Sequence, residues 1–127
     1  MRDFRRLDVW KKTHALTLEV YKLTTEFPPA ERFGLSSQLQ RSAASIGANL
    51  AEGCGRETDA DYCRFVQMAS GSACETEYHL LLAHDLGLID DQKHNHLDES
   101  INEIKRMLVG LTRFLKNEAA DAVPRPR

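Results

Sequence analysis

Between residues 97 and 115 the apolar side chains Leu97, Ile101, Ile104, Leu108, Leu111 and Leu115 recur at intervals of 4, 3, 4, 3 and 4. On an α-helix this interval places all six on one stripe, which is stable in water only when another helix covers it. The chain therefore needs partner helices, and it supplies them. Val9, Thr13, Leu16, Val20, Leu23 and Phe27 repeat the same rhythm from about Leu7 to Phe27, where Pro28 and Pro29 stop the helix by removing amide donors and disfavouring helix in the preceding residue. A second stripe, opening near Glu31-Arg32-Phe33, holds Leu35, Leu39, Ala43, Ile46 and Leu50 and ends at Gly53-Cys54-Gly55, read as a left-handed helix stop. Thr58, with Asp61 three residues on, is the expected N-cap of a third helix carrying Tyr62, Phe65, Ala69, Ala73, Leu80, Ala83 and Leu86 as far as Gly87. Asp90 or Asp91 begins the fourth.

Short links between long helices force neighbours to run antiparallel, so the expected fold is all-α, an up-down-up-down four-helix bundle. It occupies residues 1–119 as one domain. Residues 120–127, Ala-Asp-Ala-Val-Pro-Arg-Pro-Arg, lose the stripe and read as a disordered C-terminal tail. No strand-like alternation persists anywhere.

Composition removes several functional classes. With 28% charged residues and apolar runs no longer than Leu80-Leu81-Leu82-Ala83, no membrane span is expected. The N-terminus runs from Arg5-Arg6 into Asp8, Lys11 and Lys12 where a signal peptide needs an apolar stretch, so the expected location is cytoplasmic. Cys54, Cys63 and Cys74 are odd in number and lack C-x-x-C spacing, which suits reduced thiols rather than zinc or disulfides. His94 and His96 lie two apart and His79 and His84 five apart, poor spacings for sharing a metal, and the chain has no Glu-x-x-His pair. Gly53-Cys54-Gly55-Arg56 follows a helix and lacks the spacing of a phosphate loop. No cofactor is expected.

Net charge is −2, distributed as +3 over residues 1–56, −8 over 57–100 and +3 over 101–127. Off the apolar stripe of the second helix, Gln38, Arg41, Ser45, Asn49, Glu52 and Arg56 form a polar one, interleaved with Ala43, Ala44, Gly47, Ala48 and Ala51. The third helix has a matching small-residue segment, Ala69 to Cys74, in which Gly71 costs about 1 kcal/mol relative to alanine unless a close contact offsets it. The two segments are expected to meet. Three readings of the polar stripe stand: a solvated face, a buried or inter-subunit network involving Glu75 and Glu77, or a catalytic site built on Glu52, Glu75 and Glu77 within a pocket.

Further motifs bear on that choice. Leu7-Asp8-Val9-Trp10, Phe27-Pro28 with Glu31 and Phe33-Gly34-Leu35, Gln38-Leu39-Gln40-Arg41-Ser42-Ala43, Ser45-Ile46, Asn49-Leu50-Ala51-Glu52-Gly53, Arg56, Gly71-Ser72 and Glu75-Thr76-Glu77 span nearly the whole domain. Together they resemble the small bacterial proteins named for the intervening sequences of 23S ribosomal RNA genes, also called the S23 ribosomal protein family. The family pattern has proline where Gly47 stands and leucine where Cys74 and Thr76 stand. The resemblance implies a left-handed bundle assembling as a ring of five, similar to the accessory protein of diversity-generating retroelements. It also implies that Gln38, Arg41, Asn49, Glu52, Arg56 and Glu75 make contacts within or between subunits.

The expected function is thus a non-enzymatic homo-oligomeric scaffold or adaptor, its main partner another copy of itself. The alternative is RNA binding through a basic face on the first and fourth helices, formed by Arg5, Arg6, Lys11, Lys12, Lys105, Arg106, Arg113 and Lys116. Strongly basic retroelement relatives associate with RNA or a reverse transcriptase; a pI near 6.2 departs from that pattern.

Overall fold

The computed structural model describes residues 2–122. Four helices account for most of them: α1 (Asp8–Thr24), α2 (Leu35–Cys54), α3 (Asp59–Asp85) and α4 (Asp91–Ala122), with single 3₁₀ turns at Phe4–Arg6 and Pro29–Glu31 and no strand among the described residues. Cross-helix contacts fix the directions. Thr17 and Thr24 of α1 meet Ala43 and Gln40 of α2, Ser45 and Ser42 of α2 meet Ser72 and Thr76 of α3, and Glu77 of α3 meets Lys105 of α4. Glu19 and Lys12 of α1 reach His96 and Glu103 of α4. Cys63 of α3 likewise meets Thr112 of α4, so in each pair one number rises as the other falls and every neighbouring pair is antiparallel. Each helix touches two neighbours, and neither diagonal pair meets, which makes a four-cornered bundle with α1 opposite α3.

The four stripes fill its centre. Leu16, Val20, Leu39, Ile46, Leu50, Leu80, Leu97, Ile101, Ile104 and Leu108 are almost wholly removed from water. Thr76 belongs with them, completing Ala69, Ala73, Thr76, Leu80 and Ala83 on the inner side of α3. Leu86 does not: at 58% exposed it lies beyond the last turn, outside the core position expected for it.

The ends differ from expectation for local reasons. α1 stops at Thr24 rather than Phe27, although Phe27 still turns inward and is buried. Pro29–Glu31 form a separate turn, so α2 starts at Leu35 instead of Glu31. Gly55 has φ −85°, and Gly53 lies within α2, so neither is the left-handed stop expected there. Gly53 is required by space: a Cβ there would stand 2.9 Å from Phe65 Cβ and 3.0 Å from Tyr62 Cδ1. The left-handed residue is Gly87, φ +77°, with Gly87 N donating to His84 O and Leu88 N to Ala83 O, a Schellman closure of α3. Thr58 caps α3 as expected, its Oγ1 accepting from Asp61 N at 3.1 Å, and Asp90 Oδ1 accepts from Lys93 N at 2.7 Å to open α4. That helix runs to Ala122, three residues into the expected tail; residues 123–127 lie outside the described residues.

Candidate functional site

The polar stripe of α2 does not act as one unit. Its middle faces α3. Ser45 Oγ lies 2.9 Å from Ser72 Oγ, and Asn49 Nδ2 donates to Ser45 O at 2.9 Å and to Ser45 Oγ at 3.1 Å. One turn further in, the buried Thr76 donates to Ser72 O at 2.8 Å, with Ser42 Oγ 3.0 Å away. These hydroxyls are small enough for the two helices to approach closely and they satisfy one another, as buried polar groups must. Ser42, Ser72 and Thr76 were outside the expected site, and their signal is the run of short side chains at matching positions of the two helices.

The C-terminal end of the stripe forms a separate corner. Arg56 Nη2 donates to Glu52 Oε1 at 3.0 Å, its Nε lies 3.6 Å from Asp61 Oδ2, and its guanidinium covers the Phe65 ring. Arg2 pairs with Asp59, donates to Arg56 O at 3.3 Å and covers Tyr62. Burial pushes the Tyr62 phenol far above its usual range and also raises the Cys54 thiol, 3.7 Å from it. These cations tie the N-terminus to the α2–α3 turn. At the other end, Gln38 and Arg41 are exposed and form no side-chain hydrogen bond or ion pair among the described residues.

The three glutamates do not converge. Glu52 is held by Arg56, Glu75 Oε1 lies 3.3 Å from His79 Nε2 on the same helix, and Glu77 accepts from Lys105 Nζ at 2.8 Å across the α3–α4 seam, a bond that raises the lysine's affinity for its proton. The basic set is likewise divided. Lys12 pairs with Glu103 at 2.9 Å and Lys105 with Glu77, on opposite sides of α4, and Arg5 lies 3.8 Å from Asp3. Arg6, Lys11, Arg106, Arg113 and Lys116 are exposed. Two of the eight, Lys12 and Lys105, are thus held by carboxylates of neighbouring helices.

A second apolar stripe lies on the outer side of α3. Met68, Gly71, Cys74, Tyr78 and Leu81 follow at steps of 3, 3, 4 and 3, and every one is exposed, Tyr78 by 58% and Leu81 by 44%. Gly71 has nothing within 4 Å of the place a Cβ would occupy, so the contact expected to offset its cost is not supplied by its own chain. α3 is thus apolar on both sides, a pattern normal for helices covered on both sides.

These features define an antiparallel four-helix bundle with a close polar α2–α3 seam and an exposed apolar stripe on α3. The chain belongs to the 23S rRNA-intervening sequence protein family, which matches residues 5–110. It is also similar to the crystal structure of a protein of unknown function from the S23 ribosomal protein family of Bacteroides thetaiotaomicron: 27% identity, TM-score 0.74, over 82% of this chain and 97% of that one. No curated protein matches.

Proposed function

We propose that the chain is a non-enzymatic cytoplasmic scaffold that works as a homo-oligomer, a ring of five being the assembly its family resemblance implies. The observation that carries this reading is the outer side of α3. Leaving Tyr78, Leu81 and Met68 in water forfeits hydrophobic stabilisation of about 25 cal/mol per Å² of apolar surface, which a second subunit would recover. The separate engagement of Glu52, Glu75 and Glu77 supports a role without catalysis, and the splitting of the basic residues by Glu77 and Glu103 weighs against a surface made for phosphate backbone.

Light scattering tests the reading. The expected mass is near five times 14.4 kDa, unchanged by added total RNA at low or high salt. A mass of 14.4 kDa would overturn it, and a salt-sensitive rise with RNA would replace it with nucleic-acid binding.

A further inference from the structure

Resting on that reading, we infer that the outer stripe of α3 is covered by the outer stripe of α1 from a second copy of this chain. On α1 the exposed residues Lys11, His14, Ala15, Leu18, Tyr21 and Lys22 share one side, with Leu18 and Tyr21 between the two lysines and Asp8 one turn before Lys11. On α3 the corresponding side has Met68, Gly71, Cys74, Tyr78 and Leu81, with Glu75 beside it and Asp85 one turn beyond Leu81. Two α3 stripes facing each other about a two-fold axis through Cys74 would bring the Glu75 carboxylates of the two copies together, the one cation on that side, Arg64, being already paired with Asp61 at 3.0 Å. An α1 stripe brings lysines instead, and charge chooses between the two.

Placement within the bundle supports the same pairing. α1 and α3 occupy opposite corners, so joining one to the other is a heterologous contact that each copy can make twice, once with each neighbour. Their heights match. Thr17 of α1 is level with Ala43 of α2, and Ser42 of α2 is level with Thr76 of α3, so Leu18 stands at the height of Thr76 and His14 at that of Ser72, one residue from Gly71. A contact between surfaces at equal height adds no translation along the bundle axis and so keeps successive copies in one layer; a ring closes when each contact also turns the next copy about that axis. It also gives Gly71 a purpose: the missing side chain makes room for the His14 imidazole, which stacks on Trp10 with ring centres 4.8 Å apart.

Cys74 is a native probe at the centre of the stripe, the other two cysteines being buried. The experiment compares wild type, Ala15→Cys, and Ala15→Cys with Cys74→Ser, each treated with a short bismaleimide and run on a denaturing gel beside its untreated solution mass. The expected result is a ladder beyond the dimer for Ala15→Cys alone, because only there does each copy carry a thiol on both stripes, and uncrosslinked chain for the other two. Covalent dimers in wild type would overturn the inference in favour of α3 against α3. An oligomeric mass with no ladder would overturn this pairing and leave the scaffold standing, whereas a monomeric mass would overturn both.

Discussion

The two sides of α3 contrast within one helix. The inner side, Tyr62, Phe65, Ala69, Ala73, Thr76, Leu80 and Ala83, is covered by α2 and α4 and fixed by contacts within the chain. The outer side carries residues of similar character and is exposed. Bundle folding needs an apolar inner stripe and polar residues elsewhere, so it accounts for the first side and not the second. The outer stripe therefore reports on assembly, and substitutions on the two sides should separate into those that unfold the chain and those that dissociate it.

The largest effect is expected from the inner side. Leu80→Ala removes a fully buried side chain and should lower stability by about 2–5 kcal/mol, read as a fall in the thermal unfolding midpoint by circular dichroism. Gly53→Ala comes next. Its Cβ must displace Phe65 and Tyr62, so a loss of about 1–3 kcal/mol is expected despite alanine's better helix propensity, measured by urea denaturation. Gly71→Ala is the outer-side counterpart and should have the opposite sign for the separated chain. Open space at that position leaves only the propensity gain of about 1 kcal/mol, visible as a higher urea midpoint at protein concentrations where the assembly is dissociated, while the assembly itself weakens. Equal destabilisation by both alanines would break the contrast.

The smallest effect concerns the α3–α4 turn, where His84 Nε2 lies 2.6 Å from Asp91 Oδ1, Nδ1 lies 3.4 Å from Asp85 Oδ1, and the ring stacks on His94. The bond to Asp91 raises the His84 pKa above its usual value. Stabilisation from its charged form is complete below the unfolded value of about 6.5 and is lost as pH rises through the folded one. His84→Asn should flatten the thermal midpoint between pH 5.5 and 8, a window of about the range over which histidine titrates.

Much of the bundle is legible in the sequence because packing depends on periodicity. The stripes ending at Phe27, Leu50, Leu86 and Leu115 point inward almost without exception, the departures being Leu86 and the half-buried Leu111. Helix ends are less legible, since they depend on local geometry: Gly87 takes the left-handed conformation whereas Gly53 and Gly55 share the same residue type and do not. The site is less legible again. A stripe such as Gln38 to Arg56 identifies residues on one side of a helix, but whether Ser45 meets Ser72 or Arg56 meets Glu52 depends on the height of the neighbouring helix. The outer stripe of α3 has its own signal, Gly71, Cys74, Tyr78 and Leu81 at 3, 4 and 3, which a search for a single core stripe per helix passes over.

Coverage of the outer side of α3 by another subunit is tested by sedimentation equilibrium of Tyr78→Glu/Leu81→Glu beside wild type. Wild type is expected near five times 14.4 kDa and the variant at 14.4 kDa with unchanged helix content. A variant that keeps the wild-type mass, or a wild type that sediments at 14.4 kDa, would contradict it.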